Sequence, residues 1–203
     1  GAGRTIDATD GAVRVDGADG LIVTGSTGTG DAIEVTGAGT RFFFNPNTGS
    51  LRSGTVSGNQ WDPANLGTNS TAFGASTTAS GPGSMALGVN TQSTGIASLA
   101  TGQSTNASGD AATTFGNFTS ALGPYTVAGG QNSTAEGAFS IAYGNTAETT
   151  LGGSSAVSMG ESTRASGPGS VAMGSQSEAS GDQAVAIGFD NTASGNASTA
   201  LGG

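Results

Sequence analysis

Between residues 67 and 203, small and bulky side chains alternate along short runs that recur about every fourteen residues. In Ser170-Val171-Ala172-Met173-Gly174 the first, third and fifth positions are tiny, while the second and fourth are large and apolar. Ser84-Met85-Ala86-Leu87-Gly88 and Ala184-Val185-Ala186-Ile187-Gly188 keep the same order. Alternation of period two predicts a β-strand with two unlike faces, one admitting only small groups and the other carrying bulk. The second half of each unit ends in Ala-Ser-Gly or a close variant, as in Ala79-Ser80-Gly81, Ala107-Ser108-Gly109 and Ala193-Ser194-Gly195. Its other face is polar. Each unit therefore predicts two short strands joined at glycines, where the backbone takes positive φ or packs closely at a corner.

The glycines fall on every seventh residue from Gly67 to Gly144, and after a slip of two residues the register runs from Gly153 to Gly202. A coiled coil also has a period of seven, but it needs apolar a and d positions and loses ~1 kcal/mol for each glycine relative to alanine. A flexible Gly/Ser linker has no reason to keep small and large columns in phase. Stacking the units in parallel instead gives a narrow β-solenoid. Its lumen is expected to hold Ala72, Ala86, Ala100, Ala142, Ala172, Ala186 and Ala200. The bulky columns, with Met85, Leu87, Ile141, Val157, Val171, Met173, Val185 and Ile187, then line one side as an apolar stripe. Soluble monomers rarely expose such a stripe. Self-association through it is expected, and three rolls around an axis, with these residues as the trimer core, is the favoured arrangement.

Composition narrows the chemistry. The chain has 203 residues with 38 glycines, 34% apolar, 5% aromatic and 9% charged residues, too little bulk for an ordinary globular core. Cysteine, histidine and lysine are absent, so disulfides, thiolate metal sites and the commonest catalytic bases are unavailable. No enzymatic activity and no cofactor are expected. The net charge of −9 argues against nucleic acid as a partner. Asp7, Asp10, Asp16, Asp19 and Asp31 could pair as carboxylates, but Asp-Gly steps are usually turns and their spacing fits no calcium-loop pattern, so no metal site is expected. Thr77, Thr91, Thr105 and Thr119 align as in an ice-binding solenoid, with Thr163 later, yet they lie between small residues of one face and read as buried. No apolar run reaches the length of a membrane span and no secretory signal pattern opens the chain. A start at Gly1 in mid-pattern suggests a piece of a longer protein.

Residues 1–66 lack the fourteen-residue register and form a separate β-rich connector or capping module ahead of the 67–203 repeats. Ala12 to Val15, Leu21 to Val23, Ala32 to Val35 and Arg41 to Phe44 are β-prone runs. Phe42-Phe43-Phe44, Asn45-Pro46-Asn47-Thr48-Gly49 and Ser50-Leu51-Arg52-Ser53-Gly54 read as a hairpin around a turn. Trp61, the one tryptophan, stands just before the repeats. It reads as a cap over the first coil, because an open solenoid end exposes apolar groups and unpaired strands. A sugar-stacking role is the alternative.

The recurring Ser-x-Ala-x-Gly followed by Ala-x-Gly, as in Ser170 to Gly174 with Ala179-Ser180-Gly181, resembles the head repeats of trimeric autotransporter adhesins, the YadA-like family. The resemblance implies an all-β, left-handed parallel β-roll, three chains forming one head, and adhesion to a host or matrix surface. It implies an extracellular place, on a bacterial cell surface or on the tail fibre of a virion or injection particle. The departures are Phe118 and Leu122 in otherwise polar columns, Gly129 in a bulky one, and two extra residues within Asn145 to Gly152. The functional expectation is a homotrimeric fibre head that attaches to a receptor protein or glycan. Its candidate binding surface is formed by the outer Asn90, Gln92, Asn106, Gln176, Glu178 and Asp190. The alternative is a passive rigid spacer in a phage or injection-system tail fibre whose recognition tip lies elsewhere.

Overall fold

The computed structural model describes residues 22–29 and 35–203, and the fold over these residues is all β apart from a single 3-10 turn at Pro63–Asn65. Strand β1, Gly39–Asn45, turns back through residues 46–49 into the antiparallel β2, Ser50–Val56. Strand β2 then pairs in parallel with β3, Thr71–Ala75, the first strand of the repeats. The hairpin is thus the first layer of the solenoid sheet. Ile22 and Val23, read as β-prone, lie exposed outside any strand, while Ala12 to Val15, Leu21 and most of Ala32 to Val35 fall outside the described residues.

From β3 onward a five-residue strand alternates with a two-residue strand, as in Val171–Ser175 followed by Glu178–Ala179. The long strands stack in parallel into one sheet, and the short ones into a second. Register is strict: Val171 faces Val185, Ala172 faces Ala186, Met173 faces Ile187 and Gly174 faces Gly188. Between the sheets the lumen is filled by alanine, serine and threonine. Ala72, Ala86, Ala100, Ala142, Ala172 and Ala186 are fully buried, and Ala200, in the last coil, is partly covered. The column four residues before the next long-strand glycine closes the corner through its backbone amide, as Ala112 does to Gly109, and in some coils a serine or threonine hydroxyl adds a second bond. Ser98 donates to the Gly95 carbonyl and Thr126 to that of Gly123, each at 2.7 Å.

The glycine columns serve close approach of neighbouring coils. At Gly88, with φ +127°, an added Cβ would overlap the Gly102 carbonyl oxygen. At Gly95, whose φ is ordinary, it would overlap that of Gly109. The left-handed turn itself lies two residues later and mostly on other residue types. From Asn69 to Ala197, seventeen non-glycine residues have φ between 52° and 59°. Each corner is held by the coil before it: the amides of Asn90, Ala97 and Ser104 donate to the carbonyls of Ala75, Pro82 and Val89 at 2.8 Å.

The two extra residues follow the short strand Glu148–Thr149. Thr134 to Glu148 is a step of fourteen, and Glu148 to Arg164 is a step of sixteen. The surplus is absorbed at the corner, where Leu151 stands 79% exposed and both sheets continue unbroken.

Candidate functional site

The long-strand sheet turns its bulky columns away from the lumen. Met85, Ile141 and Ile187 are about two-fifths exposed, and Leu87, Val157, Val171, Met173 and Val185 are half-buried. Phe73, Phe115 and Tyr143 extend the same stripe. Gly129 interrupts it for a steric reason. The Phe115 and Tyr143 rings lean over it from the coils on either side, with centroids 5.8 Å apart, so the missing side chain is replaced by its neighbours. The result is one continuous apolar face along the single chain.

The polar candidates occupy two columns. Asn90, Gln176 and Asp190 sit at left-handed corners after long strands, whereas Gln92, Asn106 and Glu178 point outward from the short-strand sheet. All six are exposed or half-exposed. They fall into an early group (Asn90, Gln92 and Asn106) and a late one (Gln176, Glu178 and Asp190) along the chain. Arg164, not singled out in the sequence, stacks between two glutamates. Its Nε lies 3.3 Å from Glu148 and its Nη1 lies 3.2 Å from Glu178. The three stand in paired positions of successive short strands, but the two extra residues between Glu148 and Arg164 break the even fourteen-residue spacing that would have signalled the ladder.

At the first coil Trp61 is fully buried against Val56, Ala72, Ala79 and Ala86, and its indole N–H donates to the Thr77 carbonyl at 2.8 Å. Phe43 meets it edge-on at 6.3 Å. An indole with no exposed face cannot stack on a sugar. Beside it lies a residue the sequence reading passed over. Arg52 occupies the lumen position that Ala72 takes one layer on, and is fully buried. Its guanidinium donates to the carbonyls of Leu51, Ser70 and Ala79 and to the Ser70 hydroxyl, at 2.8–3.0 Å. Burial lowers its pKa to about 10.

Thr77, Thr91, Thr105, Thr119 and Thr163 are buried in the lumen, so they present no threonine array to ice. Asp7, Asp10, Asp16, Asp19 and Asp31 lie outside the described residues. Among the described residues no helix is long and apolar enough to cross a membrane.

A fourteen-residue parallel β-solenoid with a tiny-residue lumen and an outward apolar stripe defines a fibre-type structural module. The YadA head domain repeat matches residues 66–91, 121–147, 152–177 and 179–203, together just over half of the chain. The protein belongs to the YadA head family, whose members are surface-exposed homotrimeric adhesin heads. A comparison with curated proteins returned no match.

Proposed function

We propose that the chain is one third of a homotrimeric adhesive head. The observation that carries this reading is the unbroken apolar stripe on the long-strand sheet. Its side chains from Met85 to Ile187 are two-fifths exposed or half-buried in the single chain. Burying it against two further copies removes apolar surface from water at about 25 cal/mol per Å², and closed cyclic symmetry uses the same stripe on every chain. In this assembly Met85, Leu87, Ile141, Val157, Val171, Met173, Val185 and Ile187 meet near the axis. Ala72, Ala86, Ala100, Ala142, Ala172, Ala186 and Ala200 fill each lumen, and the Trp61 cap with Arg52 closes the first coil.

The outward polar columns then face the surroundings in threefold copy on a rigid stem. Attachment to a receptor protein or glycan at a cell or matrix surface follows, with affinity built from repeated weak contacts. The chain supplies the shape for adhesion, and its family and fold are structural rather than catalytic.

The test is assembly. Val171→Asp with Val185→Asp puts six carboxylates near a shared apolar axis, a severe desolvation and repulsion cost. Sedimentation should show the wild type at three chains and the double variant as monomer. A wild type that sediments as a well-folded monomer refutes the trimer.

A further inference from the structure

One edge of the roll departs from the small, polar pattern of the rest. The corners after the short strands stack directly, so Ala111, Tyr125, Phe139 and Ser155 follow one another in successive coils. Tyr125 and Phe139 have φ of +57° and +59°, a conformation that costs a bulky side chain roughly 1–2 kcal/mol. Neither ring repays that by burial, since they are 59% and 62% exposed. They stack on each other, centroids 5.0 Å apart and planes within 3°. The outer face of each ring looks toward Ala111 or Ser155, which are too small to cover it. Exposed Leu122 lies on the same edge, and the inserted corner with Leu151 follows one coil after Phe139.

Charge identifies the occupant. Residues 53–163 contain no arginine, lysine or histidine. The exposed Asp110 belongs to the neighbouring corner, where its carbonyl accepts the Tyr125 amide at 2.8 Å; its carboxylate accepts the Ile96 amide one coil back at 2.9 Å, a bond that leaves its negative charge at this exposed edge. Glu136 stands beside Leu122 one coil on, because Ala121 and Ala135 are paired. A left-handed corner is the rule in this roll, so what sets Tyr125 and Phe139 apart is the pair of large aromatic side chains left exposed there, the kind of apolar patch that marks an interaction surface. Open aromatic faces flanked by carboxylates suit a guanidinium or ammonium group, which gains from both the ring quadrupole and the negative field.

We propose that this edge, Leu122, Tyr125 and Phe139 with Asp110 and Glu136, docks an arginine- or lysine-bearing segment of a partner protein. The proposal rests on the adhesive reading above and says where and to what chemistry the head attaches.

The probe is a fluorescently labelled peptide of alternating arginine and glycine, read by anisotropy against the whole chain at about 0.15 M salt, where long-range attraction is screened. Its glutamine counterpart serves as control. Tyr125→Ser with Phe139→Ser, which leaves the net charge unchanged, should weaken arginine-peptide binding by about fivefold or more, and Tyr125→Trp should strengthen it. Asp110→Asn with Glu136→Gln should also weaken it. Tyr125→Ser alone keeps the test valid where the double variant unfolds. In the peptide and sedimentation assays four outcomes overturn the proposal: no binding of the arginine peptide, equal binding of the glutamine peptide, unchanged binding by the aromatic variants, or loss of the trimer in folded aromatic variants, which assigns the edge to contacts between copies. Adhesion is scored separately. Wild type and aromatic variants that adhere equally to a target surface sink this docking edge and leave adhesion standing. Aromatic-dependent peptide binding without adherence to any surface supports the docking chemistry and removes the adhesive reading.

Discussion

Arg52 is the least repeat-like residue in the roll and shows how its first layer is closed. A lumen built for alanine receives a guanidinium there, whose two terminal nitrogens donate to three carbonyls and one hydroxyl while its buried Nε is left without a partner among the described residues. Removing a buried charge from water is costly, and its pKa, lowered to about 10, reflects that cost. Two substitutions separate packing from charge. Arg52→Ala should lose about 2–4 kcal/mol in thermal unfolding, because it leaves a cavity beside Trp61. Arg52→Met keeps most of the volume without the charge and should stay near wild-type stability or exceed it. Further along, Ala186→Leu should overpack the lumen and cost about 1–3 kcal/mol. A melting temperature unchanged by Ala186→Leu would mean that this column is not confined.

At the scale of one coil, the strands were legible because alternation of small and bulky residues has one period and one meaning. The hairpin was legible too, from Asn45-Pro46-Asn47-Thr48-Gly49 between two β-prone runs. The corners were not. Glycine marks where two coils nearly touch, and the left-handed residue stands two positions later, where Asn, Ser, Ala and even Phe occur. No residue type labels that position, because the hydrogen bond its amide N–H donates to a carbonyl of the preceding coil holds the conformation whatever the side chain. Strain is therefore distributed along the roll and can be relieved locally. Ala111→Asn should raise stability by roughly 0.5–1 kcal/mol, since asparagine tolerates φ near +53° far better than alanine. A fall in the unfolding midpoint would show that the preceding coil does not hold this corner.

At the scale of the whole molecule, the exposed stripe and the narrow lumen are two sides of one strand. Beyond its first coil the roll buries only small side chains such as alanine, serine and threonine inside, so its larger apolar contacts must be found outside. In the proposed trimer those contacts come from the other two chains, and whatever the outer surface binds is multiplied by three. Apparent affinity for an immobilised target should therefore fall far more for a folded monomeric variant than for any single surface substitution. Surface plasmon resonance at matched chain concentration checks this, and equal retention of monomer and trimer would remove avidity from the account.

Periodicity alone determined the solenoid, its fourteen-residue coil and which side chains share a face, because a parallel stack repeats each local choice until the pattern is unmistakable. The family followed from the same columns. What only the tertiary structure decided are the features that depend on neighbours in adjacent coils. Arg52 enters the lumen because β2 pairs with β3 in a register that the sequence outside the repeats does not announce. Phe115 and Tyr143 close over Gly129, and Tyr125 meets Phe139, because residues fourteen apart lie within about 5 Å of one another once the coils are stacked. A repeat specifies its average in one dimension. Its exceptions acquire meaning only in three, where each one is completed by the coil above or below it.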